Sequence, residues 1–329
     1  MLKKIWAGQN KLYWLLVPFS LLYGLISYIR RWLYLKGLLK TWQSPVPIIV
    51  VGNLSVGGNG KTPLVILLVE QLRAKGYQVG VISRGYGGHS AHYPLLVTTE
   101  TLTTEAGDEP VLIYQRTGVS LAVAPKRIEA VKYLLSNYDL DFIIADDGLQ
   151  HYALDRAYEI VVIDGKNGFG NGWWMPAGPM RENAKRLNEV DLVVVNGDLS
   201  HQLTLPAPVP VVNMQLKPGL AVNLLTKQTC DVLLLPHVQA MAGIGYPTRF
   251  FTMLMNMGVD IEQCHPFADH YAFQSSDLLP LANPQQNLLM TEKDAVKCMP
   301  FAQSNWWYLP IDAELNKPII DILCDKLGA

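Results

Sequence analysis

A glycine-rich segment near the start of the chain has the residue types and spacing of a phosphate-binding loop. It reads GNLSVGGNGKTP, from Gly52 to Pro63, and lies between a short apolar β-branched run and a stretch with helical spacing. Strand, glycine loop and helix in that order let backbone N–H groups turn towards phosphates at a helix N-terminus. A lysine there adds positive charge, and a hydroxyl at the helix start can bind Mg²⁺. The candidate nucleotide-binding residues are Ser55, Val56, Gly57, Gly58, Asn59, Gly60, Lys61 and Thr62.

The loop departs at one position from the strict phosphate-loop pattern, G-x4-G-K-[ST]. Ser55 stands where that pattern has glycine. A tight structural turn is the alternative interpretation, but GGNGKT between a buried strand and an amphipathic helix favours nucleotide binding. We therefore expect Lys61 to contact the β- and γ-phosphates and Thr62 to bind Mg²⁺.

Two aspartates follow another predicted buried strand. The segment LDFIIADDGLQH, from Leu140 to His151, ends its apolar run in Asp146 and Asp147. Open α/β sheets bind ligands at the carboxyl ends of their strands, and carboxylates there hold Mg²⁺ or its water shell. Paired aspartates before glycine also make turns, which is the alternative. Beside the glycine loop the metal-binding interpretation is favoured, and Arg84, after the strand YQVGVIS, is expected at the same edge.

Asp108 and Glu109 precede a run with helical spacing in the segment AGDEPVLIYQR. Asp108 as an N-cap and Glu109 as a first-turn acid would both stabilise the start of a helix. The functional alternative is a carboxylate at a sheet edge beside the phosphates, available as a general base. The residues alone leave both interpretations open.

Composition limits the class of protein. The chain has 329 residues, 50% of them hydrophobic, and a formal net charge of -1 at pH 7. Such a chain can bury the cores of two ordinary domains, and its near-neutral charge argues against bulk electrostatic binding of nucleic acid. The four cysteines lack metal-binding or redox spacing and are expected to be reduced thiols. Every charged residue before Glu70 is basic, and the first segment contains Lys3, Lys4, Lys11, Arg30, Arg31, Lys36 and Lys40.

An uncharged apolar run from Leu12 to Ile29 predicts attachment to a membrane. Its length lies at the lower limit for a bilayer span. A cleaved signal peptide would need small residues at its end, but the chain continues with YIRRWLYLKG. Pro18, Gly24 and many aromatic residues suit a helix lying in the interface, with basic residues near anionic lipid. A spanning helix and a buried helix of a soluble domain are the alternatives, and basic residues on both flanks leave the topology open.

Together with further motifs, these residues resemble the tetraacyldisaccharide 4'-kinase family of lipid A biosynthesis. The matching segments lie between Val51 and Lys297 and keep their order. They are VGNLSVGGNGKTP, VGVISRGYGG, AGDEPVLIYQR, DDGLQHYALDR, GFGNGWWMPAGPMRE, GIGYPTRFF, FADHYAF and LLMTEKDAVK. The apolar amino-terminal segment also fits the membrane association of that family.

The resemblance implies an enzyme that uses ATP and Mg²⁺ to phosphorylate the 4'-hydroxyl of tetraacyldisaccharide 1-phosphate. This lipid A disaccharide 1-phosphate and the inner-membrane surface would be its partners, with no nucleic acid and no obligatory protein partner. The site of action would be the cytoplasmic face of a Gram-negative inner membrane.

The resemblance also implies roles for individual residues. Asp108 would be the base towards the sugar hydroxyl, helped by His270, which by itself would be interpreted as an ordinary surface or core histidine. Glu182 would join Thr62 and Asp147 at the magnesium site. The implied catalytic set is Lys61, Asp108, Asp146, Asp147 and His270. The residues Arg84, Gln150, His151 and Arg181 lie in shared motifs without an assigned role.

The order of predicted elements indicates an α/β fold, with a P-loop NTPase-like parallel-sheet domain, a second, smaller α/β domain and an N-terminal membrane-associated helix. We expect a membrane-associated helical segment over 1–40, the P-loop kinase domain over 41–215 and the smaller domain over 216–329. The last helix of the chain could pack back on the P-loop domain.

Two departures from the family pattern concern fine substrate contacts. Ala157 follows Arg156 where the family usually has aspartate, and Asn167 stands where it usually has arginine. The alternative function is a membrane-associated P-loop switch, an ATPase or GTPase without a lipid product, and a soluble metabolite kinase is another. The nearest match to the guanine-recognition motif NKxD is VVVNGD, from Val193 to Asp198, which lacks the lysine.

Overall fold

The computed structural model describes residues 5–6, 13–199, 205 and 209–327. Of the predicted amino-terminal segment, Lys3, Lys4, Lys11 and Leu12 lie outside the described residues. The described helices are α1 (Tyr13–Leu35), α2 (Lys61–Ala74), α3 (Thr103–Ala106), α4 (Asp108–Thr117), α5 (Arg127–Asn137), α6 (Pro247–Met257), α7 (Ser275–Leu278), α8 (Glu292–Cys298) and α9 (Ile320–Leu327). The described strands are β1 (Ile48–Gly52), β2 (Val79–Ser83), β3 (Leu95–Leu96), β4 (Ser120–Val123), β5 (Phe142–Asp146), β6 (Tyr158–Asp164), β7 (Leu192–Asn196), β8 (Val211–Pro218), β9 (Ala221–Asn223), β10 (Thr229–Cys230), β11 (Val238–Ala242), β12 (Ile261–Pro266), β13 (Asn287–Thr291), β14 (Trp306–Leu309) and β15 (Ile311–Leu315).

The chain forms two compact units. Unit 1 comprises the described residues of Met1–Arg84, Val119–Leu216 and Ala313–Ala329, and unit 2 comprises Gly85–Gly118 and Lys217–Asp312. The predicted α/β fold class, with a parallel sheet and an apolar N-terminal helix, is confirmed. The predicted division into a membrane-associated segment over 1–40, a P-loop kinase domain over 41–215 and a smaller domain over 216–329 stays a prediction.

Unit 1 is built on a parallel sheet. Its neighbouring strands follow the order β8-β7-β6-β1-β5-β2-β4. The central strands are rich in valine and isoleucine and are buried along their whole length, as expected for a sheet covered on both faces. Val51 of β1 lies opposite Asp146 of β5. The glycine loop and the aspartate pair therefore leave adjacent strands at the same level of the carboxyl edge.

Helix α2 follows the glycine loop directly. Gly60 before it has a φ of +92°, and a Cβ at this position would lie 2.6 Å from Asn196 Nδ2. Only glycine satisfies both conditions. The helix buries Leu64, Leu68 and Leu72 in one stripe against the sheet. The first turn of α2 is thereby fixed next to the end of β7.

Helix α1 packs on the rest of unit 1 through one narrow stripe. Ser20 Oγ donates to the Trp174 carbonyl at 2.6 Å, and Ser27 Oγ donates to the Arg181 carbonyl at 3.5 Å. Gly24 between them is buried against the Trp174 ring, which leaves no room for a Cβ. The exposed large hydrophobic residues of the helix are Trp14, Leu15, Phe19, Leu21, Leu22, Leu25, Ile26, Tyr28, Ile29, Trp32 and Leu35. Helix α1 is long and apolar enough to cross a membrane. Length and composition alone are weak evidence for a membrane span, because core helices and signal sequences near the N-terminus share them.

Unit 2 has a mixed sheet in the order β10-β9-β14-β13-β11-β12. The strands from β14 to β12 are parallel, and β9 and β10 are antiparallel to their neighbours. Its core contains the fully buried Trp306. Helix α8 begins directly after β13, where Thr291 Oγ1 accepts a hydrogen bond from Asp294 N at 3.1 Å and caps the helix.

Candidate active site

The glycine loop is fixed by hydrogen bonds that side chains donate within it and to it. Asn59 Nδ2 donates to Ser55 Oγ at 3.3 Å, so the serine that replaces the glycine of the strict pattern takes part in the internal bonding of the loop. Asn196 Nδ2, at the end of β7, donates to the Asn59 carbonyl at 3.1 Å. Lys61 and Thr62 are the first residues of α2, where the helix dipole favours an anion.

Asp147 is the most strongly paired carboxylate at this edge of the sheet. Lys61 Nζ lies 3.5 Å from Asp147 Oδ1, and Arg181 Nη1 donates to both carboxylate oxygens at 2.9 Å. Burial by itself would raise the pKa of Asp147, but the two cations outweigh it and lower the pKa to about 2. Arg127 Nη2 donates to the Asp147 carbonyl at 2.6 Å, where the backbone has a φ of +47°. Asp147 is therefore an ionised carboxylate beside the glycine loop.

Asp146 and His151 flank this carboxylate. Asp146 ends β5 and is buried, and it accepts a hydrogen bond of 3.4 Å from Ser83 Oγ at the end of the neighbouring β2. Burial, with the charges of Arg127 and Arg156, lowers the pKa of His151 to about 4. The imidazole is consequently neutral at pH 7.

Glu182 is brought to the glycine loop by a second chain segment. Residues 179–181 run beside residues 54–56, with Arg181 N donating to the Leu54 carbonyl at 2.7 Å. Tyr152 Oη donates to Glu182 Oε2 at 2.6 Å. The other oxygen, Oε1, is buried and has no hydrogen-bond partner in the part of the chain that the structure describes. A buried carboxylate oxygen without a donor is suited to a cation.

The oxygen donors at this edge fit Mg²⁺. This ion prefers oxygen ligands and is usually bound by one or two carboxylates together with phosphate oxygens and water. Thr62 offers a hydroxyl, and Asp147 and Glu182 offer carboxylates. Across residues 13–199 and 209–327, no three His, Cys, Asp or Glu side chains cluster closely enough to hold a metal ion without further ligands.

In unit 2, Asp108 and His270 form a hydrogen-bonded pair. His270 Nδ1 lies 3.0 Å from Asp108 Oδ2, although 162 positions separate the two residues in the chain. The N-cap of α4 is Gly107, with a φ of +89°, and Asp108 and Glu109 are acids of the first turn of that helix. The N-cap alternative is therefore not observed. The ring of Tyr86 packs edge-on against His270, with 5.3 Å between ring centroids.

The predicted site residues thus fall into two groups. In unit 1 the glycine loop, Thr62, the aspartate pair and Glu182 meet at one sheet edge, and in unit 2 Asp108 meets His270. The catalytic and metal roles of these residues stay predictions. Sequence analysis missed Arg127, whose Nη2 also approaches the Asp146 carbonyl at 3.4 Å. The sequence could have indicated Arg127, because it closely follows the strand SLAV, whose carboxyl end lies at the same edge of the sheet as the aspartate pair.

A parallel sheet, a glycine loop before a helix and carboxylates at the adjoining strand end define the class of P-loop nucleotide-dependent transferases and hydrolases. The family model described as tetraacyldisaccharide-1-P 4'-kinase, LpxK, matches residues 12–328, and the chain belongs to this family. The predicted resemblance is confirmed, and with it the enzyme class, a kinase acting on the tetraacyldisaccharide precursor of lipid A. The family is membrane-associated.

A solved structure gives the same result for the fold. The crystal structure of LpxK from Aquifex aeolicus in complex with ATP has a TM-score of 0.81 and 30% sequence identity, covering 96% of this chain and 98% of that chain. The signal recognition particle receptor FtsY from Elizabethkingia anophelis, in complex with GDP, has a TM-score of 0.32 and 22% identity, covering 48% of this chain and 51% of that chain. The family match favours the kinase over the switch alternative.

Proposed function

We propose that this chain transfers the γ-phosphate of ATP to the 4'-hydroxyl of tetraacyldisaccharide 1-phosphate, using the glycine loop for ATP and Asp108 as the base. The observation that carries the proposal is the meeting of Lys61 with Asp147 at 3.5 Å, where the glycine loop and the aspartate pair leave adjacent strands. Phosphoryl transfer requires mainly positioning and charge neutralisation, which this edge of the sheet is built to supply.

The glycine loop and Lys61 bind the β- and γ-phosphates in this proposal. Thr62, Asp147 and Glu182 are the residues that would hold Mg²⁺, and the buried Oε1 of Glu182, which has no hydrogen-bond partner among the described residues, supports that assignment. The ion neutralises charge on the phosphate oxygens when it is bound. Arg181, which now donates to Asp147, is a further cation within reach of the phosphates.

Asp108 accepts the proton of the sugar hydroxyl. The O–H bond breaks, the hydroxyl oxygen bonds to the γ-phosphorus, and the bond from that phosphorus to the bridging oxygen of ADP breaks. A hydroxyl is a poor nucleophile until its proton has an acceptor, and a carboxylate within hydrogen-bond distance can serve. His270 supports this role because its Nδ1 contacts Oδ2 and limits the rotation of the carboxylate.

In this proposal the enzyme works at the cytoplasmic face of the inner membrane, where ATP is available, and is attached through helix α1. Its exposed aromatic and aliphatic residues suit insertion into the headgroup boundary. Arg30, Lys36 and Lys40 are exposed and can meet anionic lipid, and Arg31 pairs with Glu189. The lipid substrate and the inner-membrane surface are the proposed partners.

Transfer of labelled phosphate tests the proposed reaction. The purified protein is incubated with γ-labelled ATP, Mg²⁺ and detergent-dispersed tetraacyldisaccharide 1-phosphate. We expect label in a bisphosphorylated lipid, and none when Lys61→Ala replaces the wild type at equal concentration. ATP hydrolysis without labelled lipid under any detergent condition would restore the switch alternative.

Charge on the exposed face of α1 tests the membrane proposal. Leu22→Glu with Leu25→Glu places two acids on that face and leaves the Ser20, Gly24 and Ser27 stripe intact. We expect the membrane-bound fraction to fall at least about tenfold, because each leucine loses its apolar contact with lipid. Leu220→Glu, at an exposed leucine of unit 2, is the matched control and is expected to stay on the membrane. Equal membrane binding by all three proteins would refute the role of α1.

A further inference from the structure

Helices α4 and α8 of unit 2 are joined by a series of ion pairs. Arg116 Nη1 lies 3.0 Å from Glu292 Oε2, and Lys293 Nζ lies 3.1 Å from Glu109 Oε1. The third pair involves the proposed base, since Lys297 Nζ lies 3.9 Å from Asp108 Oδ2. The segment TEKDAVK, which by sequence is an ordinary helix start with mixed charge, therefore faces the helix that begins with Asp108.

Lys297 differs from Lys293, the other cation of α8, in how firmly it is held. Its side chain is only 5% exposed, and Nζ forms an ion pair of 2.8 Å with Oδ1 of the fully buried Asp294. The ammonium also lies 4.6 Å from the centre of the Phe273 ring. A buried ammonium between a carboxylate and an aromatic face has little freedom to move.

Asp294 is itself anchored in the fold. Its Oδ2 accepts hydrogen bonds from Gly243 N at 2.9 Å and from Thr291 Oγ1 at 2.6 Å. Gly243 follows β11, and Thr291 ends β13, so two strands of the unit 2 sheet fix the position of this carboxylate. The chain of contacts runs from the sheet through Asp294 and Lys297 to Asp108.

We propose that Lys297, held by Asp294, is a positioning residue for phosphoryl transfer that fixes the Asp108 carboxylate in the orientation needed to accept the hydroxyl proton. Both His270 and Lys297 contact Oδ2 of Asp108, which assigns proton acceptance to the other oxygen, Oδ1. The inference rests on the proposed role of Asp108 as the base.

Two helical turns of α8 offer a matched comparison. Lys293 and Lys297 each pair with an acid in the first turn of α4, but Lys293 contacts Glu109 and not the base. Lys297→Met and Lys293→Met both remove one ion pair between the same helices. Because Lys297 also pairs with the buried Asp294, the thermal unfolding of both variants must be compared with their turnover.

The test measures kcat and the KM values for ATP and lipid of both variants, with thermal unfolding to compare their folding. We expect Lys297→Met to lower kcat about tenfold to a hundredfold at nearly unchanged KM for ATP, because small displacements of a reacting group reduce turnover by such factors. Lys293→Met is expected to stay within about twofold of wild type. In an Asp108→Ala background, Lys297→Met should lower kcat no further, since it acts through the missing carboxylate.

A further variant guards against unfolding caused by an unpaired Asp294. Lys297→Met combined with Asp294→Asn leaves no unpaired buried charge and should show the same loss of kcat as Lys297→Met. The inference is overturned if Lys297→Met, folded, turns over like Lys293→Met, or if it lowers kcat equally with and without Asp108. Full turnover by Asp108→Ala would show that Asp108 is not the base, and the inference about Lys297 would fail with it. If Asp108→Ala is slow but Lys297→Met has normal turnover, only the inference about Lys297 fails.

Discussion

Asp147 in unit 1 and Asp108 in unit 2 are both carboxylates next to a lysine, but their surroundings differ. Asp147 is 29% exposed and pairs with Lys61 and Arg181, two cations that a phosphate would also attract. Asp108 is 10% exposed, and its partners His270 and Lys297 are partly or almost fully buried. We call the partners of Asp147 exchangeable, because a bound phosphate would compete for them, and the partners of Asp108 fixed, because they are held inside the protein.

The difference matches two requirements of phosphoryl transfer. A nucleotide site must release and rebind a polyanion, so its cations pair with a protein carboxylate until phosphates and Mg²⁺ replace that pairing. A base must be in place before the reaction, because reorganising it at the moment of transfer would raise the barrier. We therefore expect substitutions in unit 1 to affect ATP binding and turnover, and those around Asp108 to affect turnover alone.

The largest effect is expected at the glycine loop. Lys61→Ala removes a cation directed at the phosphates and should lower turnover by about a thousandfold, with a smaller loss for Thr62→Ala. The matched control is Lys75→Ala. Lys75 is exposed, follows the last residue of the same helix and pairs with Asp321, so the turnover of this variant should remain near wild type. Near-normal turnover of folded Lys61→Ala would exclude this loop as the ATP site.

Substitution of the fixed pair is expected to reduce turnover by about a hundredfold. Asp108→Ala removes the proton acceptor and His270→Ala removes the group that orients it. Because the two residues work as one unit, the double variant should be little slower than the slower single variant. Turnover of the three proteins at saturating ATP and lipid checks this, and fully multiplicative losses would contradict a coupled pair.

The smallest effect concerns the stability of the exchangeable pair at low pH. The pKa of Asp147 is lowered from 3.8 to about 2 in the folded protein, so its ion pairs stabilise the fold above pH 3.8. That contribution, at most about 2 kcal/mol, is lost as the pH falls from 3.8 towards 2. Urea unfolding at pH 5 and pH 3 should show a stronger loss of stability for wild type than for Asp147→Asn. Equal pH dependence of the two proteins would contradict the lowered pKa.

The two regions also differ in how far their structure follows from the sequence. In unit 1 the phosphate site follows local patterns, because a strand, a glycine loop and a helix are contiguous, and parallel strands bring Asp146 and Asp147 to the same edge. The pairing of Arg181 with Asp147 and the packing of α1 on Trp174 depend on side chains far apart in the chain, and no local pattern predicts them.

In unit 2 the local patterns were less informative. The pairing of Asp108 with His270 was expected only from the family resemblance, since spacing cannot relate residues so distant in the chain. The contact of Lys297 with Asp108 was not expected, because the mixed charges of TEKDAVK are typical of an exposed helix. In the structure, helix α8 instead buries Asp294 and Lys297.

Equilibrium binding of ATP, measured together with kcat for Lys61→Ala and Asp108→Ala, tests the difference between the two carboxylate regions most directly. We expect Lys61→Ala to weaken ATP binding by at least about tenfold, because a charge-assisted contact to phosphate is lost. Asp108→Ala should bind ATP within about twofold of wild type while its kcat falls by about a hundredfold. Normal ATP binding by folded Lys61→Ala, or equally weakened binding by both variants, would contradict the assignment of ATP to the glycine loop and of proton transfer to Asp108.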